Sequence, residues 1–244
     1  MARFVEDLAL ALPVICGIDW CDPMVEPVPL GSPDDVNIRS LRVAFHTDNG
    51  IVEPTVDVVR VAENAASALS DAGVHVEESR PEGIERSFEI FSALGSADGG
   101  AGVRQVLRRV GTGDVHPWLQ ALLDFYQANV MTTAQLSSLM YGWTIFRSAM
   151  LSFLKEYDVI LCPVCAYAAQ PHGVSLKAEK VLAFSYTMTY NLTGWPSAVV
   201  RCGSSQEGLP IGMQIVSRPW REDVALAVAQ HLETALGGFQ PPLI

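Results

Sequence analysis

The segment "LRVAFHTDNGIVEPTVDVVRVAENAASALSDAGVHVEE", residues 41–78, decides the fold class. "LRVAF" is a short apolar run of strand type, followed by a turn-rich stretch up to Pro54 and Thr55. Val58, Val61, Ala65, Leu69 and Ala72 then recur at helical spacing, with Thr55 placed to cap the start of that helix and Gly73 to close its end. "VHVEE" follows as a second strand, Val74 and Val76 alternating. Strand, helix and strand within about forty residues make a βαβ unit, which favours a parallel sheet.

Working outward, residues 84–155 are helical in pattern, interrupted by "GSADGGAG" at 95–102 and by His116-Pro117. The longest run, 132–155, carries Leu139, Trp143, Phe146, Met150 and Phe153 as a core stripe. "YDVILCPV" supplies another fully apolar strand over Asp158 to Cys162, stopped by Pro163, which has no N–H for a ladder. Residues 178–190 read as helix. "SAVVRC" (197–202) and "LPIGMQIV" (209–216) flank "GSSQEG" as an antiparallel hairpin, and the alternation in its second strand predicts one buried face. A closing helix starts near Arg221-Glu222-Asp223 and stops at Gly237-Gly238, with Trp220, Val224, Val228 and Leu232 as its stripe. At the other end Val5, Leu8, Ala9 and Leu12 mark a helix that Pro13 is expected to stop. That helix looks docked from its first turn, as though the chain starts in mid-fold. The class is therefore α/β: a mixed β-sheet flanked by helices, over one unit spanning 1–244.

Composition narrows the function. A 49% hydrophobic content supports a sizeable core. With 27 acidic against 16 basic residues, the net charge of −11 repels phosphate backbones, so nucleic acid is not an expected partner. No run reaches the ~18 apolar residues of a membrane helix and no secretory signal opens the chain, so a membrane is not expected either. Five cysteines, odd in number and sparse, fit a reducing, cytoplasmic setting.

"CPVC" (162–165) has the spacing of a thiol redox site, which needs a helix directly after the strand to lower the thiol pKa. "AYAAQPHG" follows instead, broken by Pro171 and Gly173, so packed or pocket-lining thiols are the better reading. Zinc at Cys162 and Cys165, with His172 near, lacks further ligands at the required spacing, and no metal or cofactor is expected. The five histidines (46, 75, 116, 172, 231) are scattered. "GSSQEG" (203–208) has adjacent serines but no identifiable base, and reads as a turn. "GGAG" (99–102) lacks the strand before it and the G-K-[ST] that a phosphate loop requires.

"NLTGWPSAVVRCG" (191–203) followed by "GLPIGMQIVSRPWREDVALAVAQHLE" from Gly208 resembles the C-terminal end of the amidase signature family. The matching positions are Asn191, Thr193, Gly194 and Pro196, then Gly208, Leu209, Pro210, Gly212 and Gln214. "YDVILCPV", "LRVAF" with "AASALSDAGVHVEE", and "MARFVEDLALAL" resemble earlier parts of the same family, in order and over essentially the whole chain. The resemblance implies hydrolysis of carboxylic amides by a serine nucleophile, a second serine and a lysine base, all carried in the family's N-terminal half. Lys155, Lys177 and Lys180 do not occupy the position of that lysine, so no catalytic residue is carried onto this chain, and it is expected to be inactive alone. The resemblance places Cys165, Asn191 and Thr193 as substrate-pocket candidates. The implied partners are a small-molecule amide and the missing N-terminal half or another subunit. A non-catalytic binding or assembly module, and a C-x-x-C thiol oxidoreductase, stand as alternatives.

Overall fold

The computed structural model describes residues 1–174 and 177–241. Among the described residues five strands form one sheet: β1 (Arg42–Phe45), β2 (His75–Glu78), β3 (Val159–Pro163), β4 (Ser197–Ser204) and β5 (Pro210–Ser217), in the order β2-β1-β3-β5-β4. β1 pairs in parallel with both β2 and β3, whereas β5 is antiparallel to β3 and to β4. The expected mixed sheet and βαβ unit are both present.

The crossover helix α2 (Val56–Asp71) buries Val58, Val61, Ala65 and Leu69, as its spacing predicts. Its end is a Schellman closure: the Gly73 N–H donates to the Ser70 carbonyl and the Val74 N–H to the Leu69 carbonyl, with Gly73 at φ +86°. Its start differs from expectation. The Thr55 side chain makes no cap; its backbone N–H is drawn instead to the Ala166 carbonyl on the loop after β3.

One face of the sheet is covered by α2, α1 (Val5–Ile15) and α9 (Glu222–Leu236), which share a core with Val43, Val159, Met213 and Ile215. α1 docks through Val5, Leu8, Ala9 and Leu12, and the Val5 N–H donates to the Glu233 carboxylate at 3.1 Å. Pro13 does not stop α1 but lies inside it: the missing N–H falls in the last turn, and the helix runs two residues further. Trp220 likewise lies outside α9 and is exposed, while Val224, Val228 and Leu232 are buried as read.

The other face carries α3 (Ser87–Ser96), α6 (Thr133–Phe153) and α8 (Ser185–Thr193), packed on Ile160, Cys162 and Val216. α4 (Ala101–Arg109) and α5 (Pro117–Ala128) continue this side. The helix read over 178–190 is divided into α7 (Ala178–Val181), a 3-10 turn at Leu182–Phe184 and α8, which reaches Thr193. β5 corrects the one-face expectation. From Met213 to Ser217 every residue is buried, because the strand sits between β3 and β4 with helices on both sides.

The hairpin turn is built as read. Gly208 takes φ +81° and the Ser205 N–H donates to the Leu209 carbonyl at 2.8 Å. Both serines of the turn accept hydrogen bonds, Ser204 from Arg201 and Ser205 from the Leu209 N–H. In "GGAG", the N–H groups of Gly100 and Gly102 are taken by the Asp98 carboxylate, which these bonds hold below its ordinary pKa. The start of α4 is thus already occupied by a side chain.

Candidate functional site

In an open parallel arrangement, ligands bind beyond the carboxyl ends of strands where the chain turns to opposite sides of the sheet. Here that point lies between β1 and β3, since β1 is flanked by β2 on one side and β3 on the other. The segments leaving it are 46–54 after β1 and 164–170 after β3, facing the start of α8.

A layer of buried polar side chains ties these segments together. Asn49 donates from Nδ2 to Ser185 Oγ at 2.8 Å and accepts the Ile51 N–H at 3.1 Å, so the "DNG" turn is locked onto α8. The Tyr186 hydroxyl donates its hydrogen between the Thr47 and Val52 carbonyls, both at 3.1 Å. Gln214, on β5, donates from Nε2 to the Pro163 and Tyr186 carbonyls, each at 3.0 Å. Thr189 bonds Ser87 Oγ at 2.9 Å. None of these groups is charged, so the layer positions backbone and cavity walls; it activates no nucleophile.

His46 is the exception to this pairing. Its Nδ1 lies 3.0 Å from the Asp48 carbonyl, which requires the proton on Nδ1 and leaves Nε2 a bare acceptor, buried and without a hydrogen-bond partner. Burial lowers its pKa to about 4, so the ring is neutral.

The thiols behave as packed groups. Cys162 is fully buried on β3, where desolvation pushes it up to about 12, and its Sγ donates to the Tyr190 hydroxyl at 3.8 Å. Desolvation raises Cys165 as well. A redox pair needs a lowered thiol pKa; both of these move the opposite way, and among the described residues no helix begins directly after β3.

The three pocket candidates occupy different places. Cys165 lines a cavity of about 300 Å³ at the carboxyl end of β3, with Tyr167, Ala168, Lys180, Ala183 and Phe184. Thr193 lines another, of about 440 Å³, with Arg147, Trp195 and Trp220. That second cavity adjoins the start of β4, which pairs through Val216 with the beginning of β3, so the two lie toward opposite ends of the strands. Asn191 is exposed on α8 and lines neither. α8 explains the separation: it begins at the polar layer and its nine residues carry the chain ~13 Å along the sheet. Asn49 and Tyr186 escaped the sequence reading, while Gln214 stood in it only as a family-matching position and Lys180 only as a lysine outside the catalytic position. Only Gln214 left a signal, as a lone amide inside an apolar strand.

The sequence matches the family described as Amidase over residues 1–226. The chain belongs to the amidase family. Among similar proteins is an acylamidase of Rhodococcus erythropolis, 26% identical over 253 residues, covering 96% of this chain and 51% of the relative. A glutamyl-tRNA(Gln) amidotransferase subunit from Fusobacterium nucleatum is 24% identical over 269 residues, covering 99% of this chain and 55% of that protein. The structure of 6-aminohexanoate cyclic dimer hydrolase superposes with a TM-score of 0.82 at 22% identity, over 96% of this chain and 54% of that one, which establishes the shared fold. The chain spans about half the length of the relatives it matches. Among the described residues no helix is long and apolar enough to cross a membrane.

Proposed function

We propose that this chain is the C-terminal portion of an amidase domain, that the complete domain hydrolyses a small carboxylic amide to the acid and ammonia or an amine, and that this portion is catalytically silent by itself. The observation that carries the reading is the family match over residues 1–226 at about half the relatives' length. The chain supplies one wall of the substrate cavity, at the carboxyl ends of β1 and β3, and its share of the sheet. The silence is read from chemistry: a serine hydroxyl is a weak nucleophile without a base in reach. Five free cysteines support a cytoplasmic setting.

The test is ammonia release from a panel of primary amides by the purified chain, and by the same chain extended at its N-terminus to the relatives' full length. Release by the extended chain alone is expected. Release by the short chain, surviving repurification and lost on substituting one of its own residues, would overturn the silence. A second reading, an assembly module that pairs with a separately encoded partner, draws on exposed apolar residues: Leu136, Met140, Tyr141, Ile145 and Leu151 on α6, and Val199 on the edge strand β4. That one similar protein is named as a component of an amidotransferase accords with assembly. A monomeric, monodisperse chain that unfolds cooperatively would remove this reading.

A further inference from the structure

We propose that the cavity at the carboxyl end of β3 takes an acyl group that ends in a carboxylate, with Lys180 as the residue that selects it, so that the substrates are monoamides of short dicarboxylic acids. The substrate class rests on the amidase reading above; the anion preference rests on the cavity itself.

The walls near Cys165 are mostly apolar, with Ala168, Ala183 and Phe184 around the thiol. Burial keeps that thiol protonated, so it contributes no negative charge. Among the described residues Lys180 is the one cation of the lining, and no carboxylate lines the cavity with it. Its Nζ lies 4.6 Å from the centre of the Tyr167 ring, another wall residue. The ring's negative face holds an ammonium in place without neutralising it, which leaves the full charge and its N–H donors for an incoming anion. The cavity does not need to be assembled on binding: the Ala166 N–H donates to the Ala183 carbonyl at 3.1 Å, and the Ala166 carbonyl accepts the Thr55 N–H at 2.9 Å. The first bond fixes the loop after β3 against the segment that carries Lys180, and the second ties the same loop to the start of α2. At about 300 Å³ the space is at the small end of ligand pockets, suited to a short acyl chain. A mostly apolar lining with one cation, and with Gln170 as a neutral polar neighbour, rewards a ligand that is apolar along its length and anionic at one end.

The experiment is a titration of the 244-residue chain, methyl-labelled at alanine, with hexanoate, hexanamide and the monoamide of adipic acid, following the Ala168 and Ala183 methyl resonances. Both carboxylates are expected to bind about tenfold or more tightly than hexanamide at low salt, the worth of one charge-assisted contact. Lys180→Gln should level the series, and Lys180→Arg should keep the preference. Equal binding of all three compounds, or a series unchanged by Lys180→Gln, overturns the anion site while leaving an amide cavity standing. Carboxylate preference together with no hydrolysis of any amide by the extended chain overturns the amidase reading and leaves the anion site. Absence of binding by all three, with an intact spectrum, overturns the proposal.

Discussion

Replacing Gln214 by methionine probes the joint on which the candidate site hangs. The side chain is 2% exposed and donates to two carbonyls, that of Pro163 at the end of β3 and that of Tyr186 at the start of α8. Methionine keeps the length and the apolar stem, so the change is confined to two hydrogen bonds. At about 1 kcal/mol net for each, with an added penalty if a carbonyl is left dry, the loss is roughly 2–4 kcal/mol. For a chain of this size that corresponds to a fall in Tm of about 5–15 °C. Urea unfolding followed by circular dichroism gives the free energy, and the slope of the transition should not change, since the surface exposed on unfolding is the same. Gln206→Met, in the exposed hairpin turn, serves as the control and should shift nothing measurable. A loss below about 0.5 kcal/mol for Gln214→Met would refute the reasoning, because it would mean both carbonyls find other partners at no cost.

Gly203 lies where β4 approaches α2, and a Cβ there would stand 2.7 Å from Val61 Cγ2. Gly203→Ala should therefore cost about 1–3 kcal/mol in urea unfolding, and the double variant with Val61→Ala should recover part of it. His46 has a folded-state pKa near 4 against 6.5 unfolded, so the unfolded chain binds the extra proton between those values. Its contribution to stability is full above pH 6.5 and declines as pH falls toward 4, by about 2 kcal/mol at pH 5; His46→Phe should flatten that part of the urea-midpoint profile. Alkylation of the native chain should label Cys16 and Cys21 at once and Cys162 and Cys202 only after unfolding. Reduction of insulin disulfides should be absent, and a Cys162-dependent activity in that assay would restore the redox alternative.

The local part of this fold was readable and the non-local part was not. α2 and its flanking strands are written in one stretch, with spacing, a closing glycine and alternation all agreeing. Nothing in "LPIGMQIV" states that β5 lies between β3 and β4, and its period of two suggested a half-exposed strand until helices on both faces buried it. Pro13 read as a stop because proline breaks a helix interior, but within the last turn it removes a single hydrogen bond. Thr55 has the right chemistry for a cap, and a tertiary contact took its backbone elsewhere. At the site, Cys165 fell beside a cavity because a central strand ends two residues before it, whereas Thr193 was carried toward the opposite end of the sheet by α8. Asn49 in "DNG" looked like ordinary turn chemistry. Its bond to Ser185, 136 residues away, is the kind of pairing that spacing does not encode.

The position of β5 also sets an order of events. Of the five strands it is the last in sequence, yet it fills the gap between β3 and β4, and it supplies the glutamine that closes the polar layer. As the chain leaves the ribosome, β1, β2 and β3 can pair early, but β3 keeps one open edge until residues 210–217 emerge. Assembly of the cavity walls is therefore a late step in synthesis. A nascent chain stalled before Pro210 would present the open edge of the fully apolar β3 to whatever is nearby, which makes that interval the one most exposed to mispairing.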